Sequence, residues 1–451
     1  MSTPLQRPAR EVQALAEVGV TRISRSVAWG LMMAFVLTIS VVLLVEPFLA
    51  RPGHGSDGEP PPSPSSRRVW SELVSEIRAA LAEVGSASPL VVNRSALAAM
   101  DRFETTLEEE SFLRRSLLPR LQWRLTAGLG LGNEQVYVGR EDWLFFRRDV
   151  DYVTGPGFLE PSVLEARRRG GEAWLPAPNP DPVSALVDLD RQLRQRRIHL
   201  IVMPTPVKSS IEPGRFSQRA AKVTRALENR SFARFLKELA AAGVDVFDPA
   251  PLLVESRLAT GKSQYLRTDT HWLPTAVDTT ARALAERVQN LVGGSAENLG
   301  GLVRRPVAVE GLGDIAAMLW LPADQQWLAP ESVRGQMVLR ADGGIWQPRQ
   351  DATVLLLGDS FTNVYSDPAL GWGRGAGLAE QLGYHLQLPV DRLAVNAGGA
   401  LQVRQILQRA LARDEDRLAD KRVVIYQFAA RELAQGDWQV LELADTTGPN
   451  R

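Results

Sequence analysis

The chain has no cysteine and only four histidines among its 451 residues. The lack of cysteine excludes disulfide bonds, thiolate nucleophiles and cysteine-ligated zinc or iron–sulfur centres. A histidine-based zinc site is also disfavoured, because His271 alone among the histidines has an acidic neighbour at a useful spacing. The sequence shows neither a phosphate-binding loop nor a dinucleotide fingerprint. We therefore expect no metal and no cofactor.

The chain also lacks a net charge, because 52 Lys and Arg residues balance 52 Asp and Glu residues. A neutral sum gives no global field that would attract nucleic acid. The arginine-rich runs at 167–169 and 191–197 are typical of solvated helix faces or turns. With 45% hydrophobic residues, the length suffices for one large domain or two ordinary ones.

One long hydrophobic run is present near the N-terminus. Residues 27–45 are nineteen residues without a charge, enough for a helix to cross the hydrocarbon of a bilayer. Four arginines precede the run: Arg7, Arg10, Arg22 and Arg25. A cleaved signal peptide fits less well, because Phe48 would occupy a cleavage-site position that prefers small residues. The pattern predicts a cytoplasmic tail (1–26), an uncleaved anchor (27–46) in the inner membrane and a periplasmic remainder.

The rest of the chain divides into three segments by composition. Residues 51–68 are rich in Pro, Gly and Ser and predict a linker, and apolar residues at helical spacing predict a helical lead-in over 69–130. From 131 to 440 strands and helices alternate. Strands are predicted at 136–138, 143–146, 198–203, 244–247, 354–357, 392–395 and 423–428, and helices at 181–197, 231–242, 274–292, 378–386 and 402–411. This alternation indicates an α/β domain with a mainly parallel sheet covered by helices.

Two short segments carry the residues of a charge-oriented nucleophile. Ser360 follows the apolar strand 354–357 in the string Gly-Asp-Ser-Phe, at the strand end where such sheets form their sites. Turns use Gly, Asp and Ser for backbone reasons too, so the string alone is a weak signal. In Asp269-Thr270-His271, residues two apart in an extended segment point the same way. The carboxylate can then bind one imidazole nitrogen and leave the other facing a serine.

Each motif also has a structural interpretation. Asp269 and His271 would suit a surface turn ahead of the helix that Pro274 starts. Among the other histidines, His54 lies in the linker, His199 opens a buried strand as a structural residue, and His385 ends an amphipathic helix at the surface. By elimination, His271 is the candidate base, with Ser360 and Asp269 as its partners.

Together with further stretches, these segments resemble the SGNH-type domain of alginate O-acetyltransferases, the AlgJ/AlgX-like family. The further stretches are 138–145 (VGREDWLF), 204–208 (PTPVK), 313–319 (GDIAAML), 371–373 (GWG) and 423–428 (VVIYQF) with Arg431. The resemblance covers roughly residues 130 to 435. It implies a flavodoxin-like, SGNH hydrolase-like fold in which the Asp-His block precedes the serine block, a permuted order.

The resemblance also implies roles for particular residues. Ser360 would attack an acetyl donor, His271 would act as base and then acid, and Asp269 would orient the imidazole. Asn396 and a glycine between Gly371 and Gly377, with Gly373 as candidate, would support the oxyanion. Trp272, Trp372 and Tyr365 would stack on sugar rings, although aromatic residues at such positions are as often packed in a core. Arg431 would contact substrate, although segment 426–431 lacks the Trp-Glu and the proline that relatives often show.

The predicted function is therefore acetyl transfer to an exported polysaccharide, alginate-like or another exopolysaccharide, through an acetyl-serine intermediate. The resemblance implies a membrane-bound acyltransferase partner that delivers the acetyl group, and it is closer to the membrane-anchored AlgJ type. Two alternatives remain open. A carbohydrate esterase or deacetylase would use the same three residues, and a non-catalytic scaffold of a polysaccharide export complex would use none of them.

Overall fold

The computed structural model describes residues 112–170, 177–292, 301–413 and 415–444, together with 26, 27, 29–33 and 75. The chain divides into two units, residues 1–121 and 122–451. In the first unit, residues 26, 27, 29–33 and 75 are helical. Most of the predicted anchor, the whole linker and most of the lead-in lie outside the described residues. Within the described parts of the chain, no helix combines the length and the apolar character needed to cross a membrane.

Strands and helices alternate in the second unit, as the sequence predicts, and the first helix numbered below begins at residue 112, within the first unit. Numbered from residue 112, the helices are α1 (Phe112–Leu129), α2 (Arg147–Thr154), α3 (Pro161–Arg169), α4 (Pro182–Gln195), α5 (Lys208–Ile211), α6 (Pro213–Phe216), α7 (Phe232–Ala241), α8 (Ala250–Thr260), α9 (Pro274–Val292), α10 (Asp314–Met318), α11 (Ser360–Asn363), α12 (Leu378–Leu386), α13 (Gly399–Leu411) and α14 (Glu432–Gln435). The strands are β1 (Val136–Val138), β2 (Leu144–Phe146), β3 (His199–Thr205), β4 (Asp245–Val246), β5 (Val303–Gly311), β6 (Glu331–Leu339), β7 (Val354–Gly358), β8 (Asp391–Ala394) and β9 (Val423–Ala429).

The centre of this unit is a five-stranded parallel sheet with strand order β4-β3-β9-β7-β8. Its inner strands β7 and β9 are buried along their whole length, which is why they appear in the sequence as continuous apolar runs. Alternate residues of β7 point to opposite layers: Leu356 packs in one core cluster and Leu355 in the other. Helices α9 and α12 cover the first face, and α4, α7 and α13 cover the second. The predicted doubly covered parallel sheet is confirmed.

Helix ends follow the predicted signals. Pro274 begins α9, which ends at Val292 as predicted, and its buried residues recur at helical spacing. The Asp181 side chain caps α4 by accepting the Val183 N–H, with Pro182 at the first helical position. Gly243 adopts a left-handed φ of 79° just beyond α7. The predicted strand at 136–138 and the predicted helix at 378–386 also match the observed bounds, and the other predicted ends differ from the observed ones by at most three residues.

Two antiparallel hairpins accompany the sheet. The β1–β2 hairpin was predicted, and its turn places Glu141 and Asp142 at positive φ, 54° and 59°. The β5–β6 hairpin was not predicted, although its nine residue pairs from Val303 to Gly311 are in continuous register. β5 has no buried residue and β6 has only three, and the two strands are joined by a long connection that contains α10 instead of a tight turn. The sequence therefore gives neither a buried apolar run nor a short turn signal there.

Candidate active site

Ser360 lies where β7 ends and α11 begins, at the carboxyl edge of the sheet. The preceding Asp359 fixes this turn with both carboxylate oxygens. Its Oδ1 accepts the Phe361 N–H at 2.8 Å, and its Oδ2 accepts the Ala429 N–H of β9 at 2.7 Å. The Gln427 side chain accepts the Asp359 N–H at 3.0 Å and donates back to Asp359 Oδ1 at 2.9 Å. The half-buried Ser360 is therefore presented by a rigid turn rather than by a loose loop.

Asp269 and His271 form a buried pair. His271 Nδ1 lies 2.6 Å from Asp269 Oδ1, and the His271 backbone N–H donates to the same oxygen at 2.8 Å. The two residues are only 1% and 3% exposed. The other imidazole nitrogen, His271 Nε2, is buried without a hydrogen-bond partner among the described residues. A buried nitrogen left unpaired is costly in a folded protein, and functional sites are where such groups are retained.

The imidazole packs against the turn that carries the serine. The ring centroids of His271 and Phe361, the residue after Ser360, are 4.8 Å apart. The next residue, Trp272, donates its indole N–H to the Phe361 carbonyl at 3.1 Å. The Tyr365 hydroxyl donates in turn to the Trp272 carbonyl at 2.8 Å. These contacts hold the Asp-His segment beside the serine turn, although about ninety residues separate them in the chain.

Asp269 is held as an anion by a full set of donors. Besides His271, its Oδ2 accepts the Trp372 indole N–H at 2.8 Å and the Asp314 backbone N–H at 3.0 Å. Burial alone would raise the pKa of Asp269, but His271 and these donors outweigh it and hold that pKa well below the usual range. Burial alone would lower the pKa of His271, but the Asp269 carboxylate outweighs it and raises that pKa above the usual value.

Lys208 donates hydrogen bonds to the backbone of the same segment. Its fully buried ammonium donates to three backbone carbonyls, those of Leu144 at 2.6 Å, Arg267 at 2.8 Å and Asp269 at 2.9 Å. Burial lowers the pKa of Lys208 to about 8, although Asp269 and other nearby carboxylates oppose the shift. Sequence patterns indicate no role for this lysine beyond its place in the 204–208 stretch, because its partners are backbone atoms that no motif records.

Asp314 is a second carboxylate beside the imidazole. Its Oδ1 accepts the Thr270 N–H at 2.7 Å, its Oδ2 accepts the Thr270 hydroxyl at 2.6 Å, and the same Oδ2 lies 3.9 Å from His271 Nδ1. The Asp314 side chain is only partly buried, and this partial burial together with the Asp269 charge raises its pKa to about 6. No spacing rule links Asp314 to Asp269, since 45 residues separate them.

One imidazole nitrogen of His271 and one carboxylate oxygen from each of Asp269 and Asp314 lie within 4.8 Å of one another, which is the spacing of a possible metal site. The bonding favours a different interpretation. His271 Nδ1 is already bonded to Asp269, and the oxygens of Asp269 and Asp314 accept N–H or O–H donors. A metal ion would have to displace these donors. The cluster fits an oriented imidazole better than a metal centre.

Asn396 lies beside the serine along the sheet edge. Gly358 of β7 pairs with Ala394 of β8, and Ser360 and Asn396 each follow two residues later. The Asn396 carbonyl oxygen accepts from Asn363 at 2.9 Å, and its amide donates to Asp367 at 2.7 Å. Gly373 has a left-handed φ of 80° and packs against the Val309 side chain of the β5–β6 hairpin. The structure records no contact that would place Gly373 at the serine.

The three aromatic residues expected to stack on sugar are core residues instead. Trp272, Trp372 and Tyr365 are 0%, 1% and 1% exposed. Their polar groups are bonded internally, to Phe361, Asp269 and Trp272 respectively. The sugar-stacking expectation is therefore wrong for these three rings in this structure, because a covered ring has no free face to offer. Their actual contacts orient the Asp-His segment.

Arg431 is engaged by an internal partner. Its guanidinium donates to the buried Asp149 at 2.9 Å and lies 5.9 Å from the centre of the Phe361 ring. Burial raises the pKa of Asp149, and Arg431 opposes that shift. The side chain is 14% exposed. Arg431 thus lies next to the serine turn, but its guanidinium is already paired with two acidic side chains, Asp149 and Glu432.

The other histidines fall into different settings. His199 bonds Asp245 across β3 and β4 at 2.9 Å, which confirms a structural role. His385 was expected at the surface, but its side chain is 16% exposed and bonds Asp278 at 2.7 Å. That expectation is wrong because α9 and α12 pack side by side and cover it. His54 lies outside the described residues.

The parallel sheet, the serine at a strand end and the buried Asp-His pair together define an α/β protein of the SGNH hydrolase-like kind. The profile of the family described as "SGNH hydrolase-like domain, acetyltransferase AlgX" matches residues 136–430, which is more than half of the chain. The chain belongs to this family. The predicted AlgJ/AlgX-like membership is thereby confirmed.

Individual relatives agree over parts of the chain. The chain is 27% identical over 159 residues to "Probable alginate O-acetylase AlgJ" of Pseudomonas aeruginosa, a match that covers 35% of this chain and 34% of that relative. This chain therefore spans about a third of that relative's length. The O-acetyltransferase domain of Pseudomonas putida AlgJ superposes with a TM-score of 0.48 at 20% identity, covering 66% of this chain and 92% of that domain. AlgX of Pseudomonas aeruginosa gives 0.44 at 17% identity, covering 67% of each chain. Superpositions this partial carry no inference by themselves.

Proposed function

We propose that this protein is a serine-dependent O-acetyltransferase that acts on an exported polysaccharide. One observation carries the proposal: the buried, unpartnered His271 Nε2 lies on an imidazole that Asp269 orients and that packs against the Ser360 turn. Two further features support it. The family description names an acetyltransferase, and the curated relative is named an alginate O-acetylase.

The proposed reaction has two steps that share one base. In the first, Ser360 Oγ attacks the carbonyl carbon of an acetyl donor while His271 Nε2 takes the hydroxyl proton. The donor's leaving group departs with that proton, which leaves an acetyl ester on Ser360. In the second step, a sugar hydroxyl gives its proton to His271 Nε2 and attacks the acetyl carbon. The serine oxygen then leaves and recovers the proton, so the enzyme is restored.

The negative charge that develops on the acetyl oxygen needs donors nearby. The Ser360 N–H is at the first position of α11, and the first N–H groups of a helix have no acceptor within it. The Asn396 amide follows the neighbouring strand β8 and is oriented by Asn363 and Asp367. We assign these two groups as the oxyanion donors, with Gly373 as a further candidate.

The proposal extends to the placement of the protein. Residues 27–46 would anchor the chain, 51–68 and 69–130 would link the anchor to the domain at 131–440, and the domain would lie in the periplasm. A membrane-bound acyltransferase would supply the acetyl group, because an activated acetyl donor made in the cytoplasm must cross the membrane. The apolar run and the arginines before it support this arrangement.

The test uses the full-length chain, an aryl acetate as donor and mass spectrometry of the intact protein. We expect one added acetyl group that maps to Ser360 and is absent in Ser360→Ala. Ser366→Ala is the matched control, because its hydroxyl lies six residues further on and bonds Glu380 at 2.6 Å. With oligosaccharide present, acetyl groups should appear on sugar hydroxyls. Release of acetate alone would favour an esterase, and no serine acetylation would favour the non-catalytic scaffold.

A further inference from the structure

Asp314 is a titratable group that the proposed mechanism does not use. It begins α10, directly after the connection from β5, and its carboxylate lies beside the imidazole of the proposed base. We propose that Asp314 is a positioning residue, a second carboxylate that holds the Asp-His segment in place and favours the protonated form of His271 during turnover. This inference rests on the proposed function and adds a residue to it.

Asp314 bonds the residue that joins Asp269 to His271. The two oxygens of Asp314 accept both the backbone N–H and the hydroxyl of Thr270, the residue between Asp269 and His271. Thr270 Oγ1 lies 3.3 Å from His271 Nδ1, and Asp314 Oδ2 lies 3.9 Å from the same nitrogen. Asp314 therefore fixes the backbone link of the pair and places a negative charge near the nitrogen that bonds Asp269.

The backbone that carries Asp314 approaches the Asp-His segment closely. Gly313 has a φ of +90°, and a Cβ there would meet the Thr268 carbonyl at 2.5 Å and Asp269 Cβ at 2.8 Å. The Ala316 N–H donates to the same Thr268 carbonyl at 3.1 Å. A side chain at position 313 would push α10 away from the Asp-His segment. The chain thus brings Asp314 to this position by a contact that glycine permits.

Asp314 is more exposed to solvent than the other charged groups around His271. The charged groups that face the imidazole are Asp269 in its own segment, Asp314 of α10, Asp359 of the serine turn, Lys208 of α5, and the pair Asp149 of α2 and Arg431. Asp359 is bound by two N–H groups and by Gln427, and Asp269 is 1% exposed. The Asp314 side chain is 35% exposed, so its carboxylate can exchange protons with solvent.

The test replaces the carboxylate by an isosteric amide in Asp314→Asn. The Asp314 backbone N–H that donates to Asp269 is retained, while the negative charge 3.9 Å from His271 Nδ1 is lost. Loss of that charge and looser bonding of Thr270 both disfavour the imidazolium, so the two effects have the same sign. We expect the midpoint of the His271 titration to fall by about one pH unit. The readout is NMR of the full-length chain carrying ¹³C-labelled histidine, where only four histidine signals arise.

The matched control is Asp278→Asn, which makes the same chemical change beside another histidine, His385. It should leave the His271 midpoint where it is in the unaltered protein. A midpoint of His271 that does not move in Asp314→Asn, or that moves equally in Asp278→Asn, would overturn the inference.

A second measurement separates this inference from the proposed function. With aryl acetate, the acidic limb of the pH–rate profile should move to lower pH in Asp314→Asn, and the maximal rate should fall about tenfold. If Ser360→Ala retains full activity, the proposed function fails while the NMR result still reports on Asp314. If Ser360→Ala is inactive and the acidic limb of Asp314→Asn stays in place, the inference about Asp314 fails alone.

Discussion

At the residue scale, the chemistry of this site depends on how a few side chains restrict one imidazole. Asp269 takes one nitrogen of His271, and the other nitrogen is left unpaired in a buried position. Trp372 and the Asp314 N–H occupy the remaining oxygen of Asp269, so the carboxylate cannot turn away. The result is an imidazole with a fixed direction and a pKa raised by its carboxylate partner.

Asp269→Asn should therefore separate catalysis from folding. The amide preserves the shape, but its nitrogen cannot accept the His271 N–H, so the imidazole is no longer held in the productive tautomer. We expect acetyl transfer to fall about 10³–10⁴-fold, as for comparable triads. The rate of acetylation of Ser360 is the measurement. A melting temperature close to that of the unaltered chain is the necessary control, and a rate within tenfold of normal would contradict the assigned role.

At the element scale, the site is held by ties between elements that are distant in sequence. Lys208 at the start of α5 joins the β2 strand at Leu144 to the Asp-His segment at Arg267 and Asp269. A buried ammonium without a directly bonded carboxylate is rare, because desolvation of the charge is costly. Its three carbonyl partners account for all three of its N–H donors.

Lys208→Met should loosen these elements. The methionine fills a similar volume but removes the lysine donor from the Leu144 and Asp269 carbonyls, at about 1 kcal/mol or more for each. The Arg267 carbonyl keeps the Leu144 N–H at 3.0 Å as a second donor. We expect the free energy of unfolding to fall by about 2–4 kcal/mol, measured by urea denaturation. Lys222→Met, at an exposed position on the same chain, is the control. Stability equal to that of the unaltered protein would show that the three bonds contribute nothing.

The pH dependence of this stability has a defined sign. The folded pKa of Lys208, about 8, lies below its ordinary value of 10.5. Between these values the unfolded chain binds the proton more tightly than the folded chain does, so the contribution of Lys208 to stability rises with pH across that window. Lys208→Met should lack this rise.

Elements with a strong local signal were predicted almost to the residue. Helix α9 combines Pro274 at its start with an amphipathic stripe, and β7 is an apolar run ahead of a turn. The sequence does not predict the β5–β6 hairpin, because neither strand is a continuous buried apolar run and the connection between the strands is long. A sequence does not show which side chains other segments will bury, so the expectation that Trp272 and Trp372 bind sugar could be overturned only once the fold was known.

At the scale of the whole molecule, the parallel sheet explains how a permuted order of motifs still forms one site. The carboxyl ends of parallel strands share one edge, so Ser360 after β7, Asn396 after β8 and Arg431 after β9 all emerge there. The Asp-His segment reaches the same edge from the stretch between α8 and α9. Chain order is therefore free to change while the site is preserved.

The predicted anchor gives a test on the intact protein. If the anchor prediction is correct, the full-length chain should remain with membranes through alkaline carbonate washing, because nineteen uncharged residues suffice for a helix that crosses the bilayer. A chain lacking residues 1–50 should be released by the same wash. External protease should reach the domain in spheroplasts and leave the N-terminal tail protected. Release of the full-length chain by carbonate would argue against the anchor.

The sequence by itself determined the alternating elements, the parallel sheet, the edge on which the candidate site lies and the three candidate catalytic side chains. These features depend on hydrophobic periodicity and local turn chemistry, which neighbouring residues encode. Only the tertiary structure decided that Lys208, Trp372 and Asp314 support the Asp-His pair, and that the aromatic rings near the motifs are covered. Those contacts join residues far apart in the chain through backbone carbonyls and buried surfaces, and local patterns do not specify them.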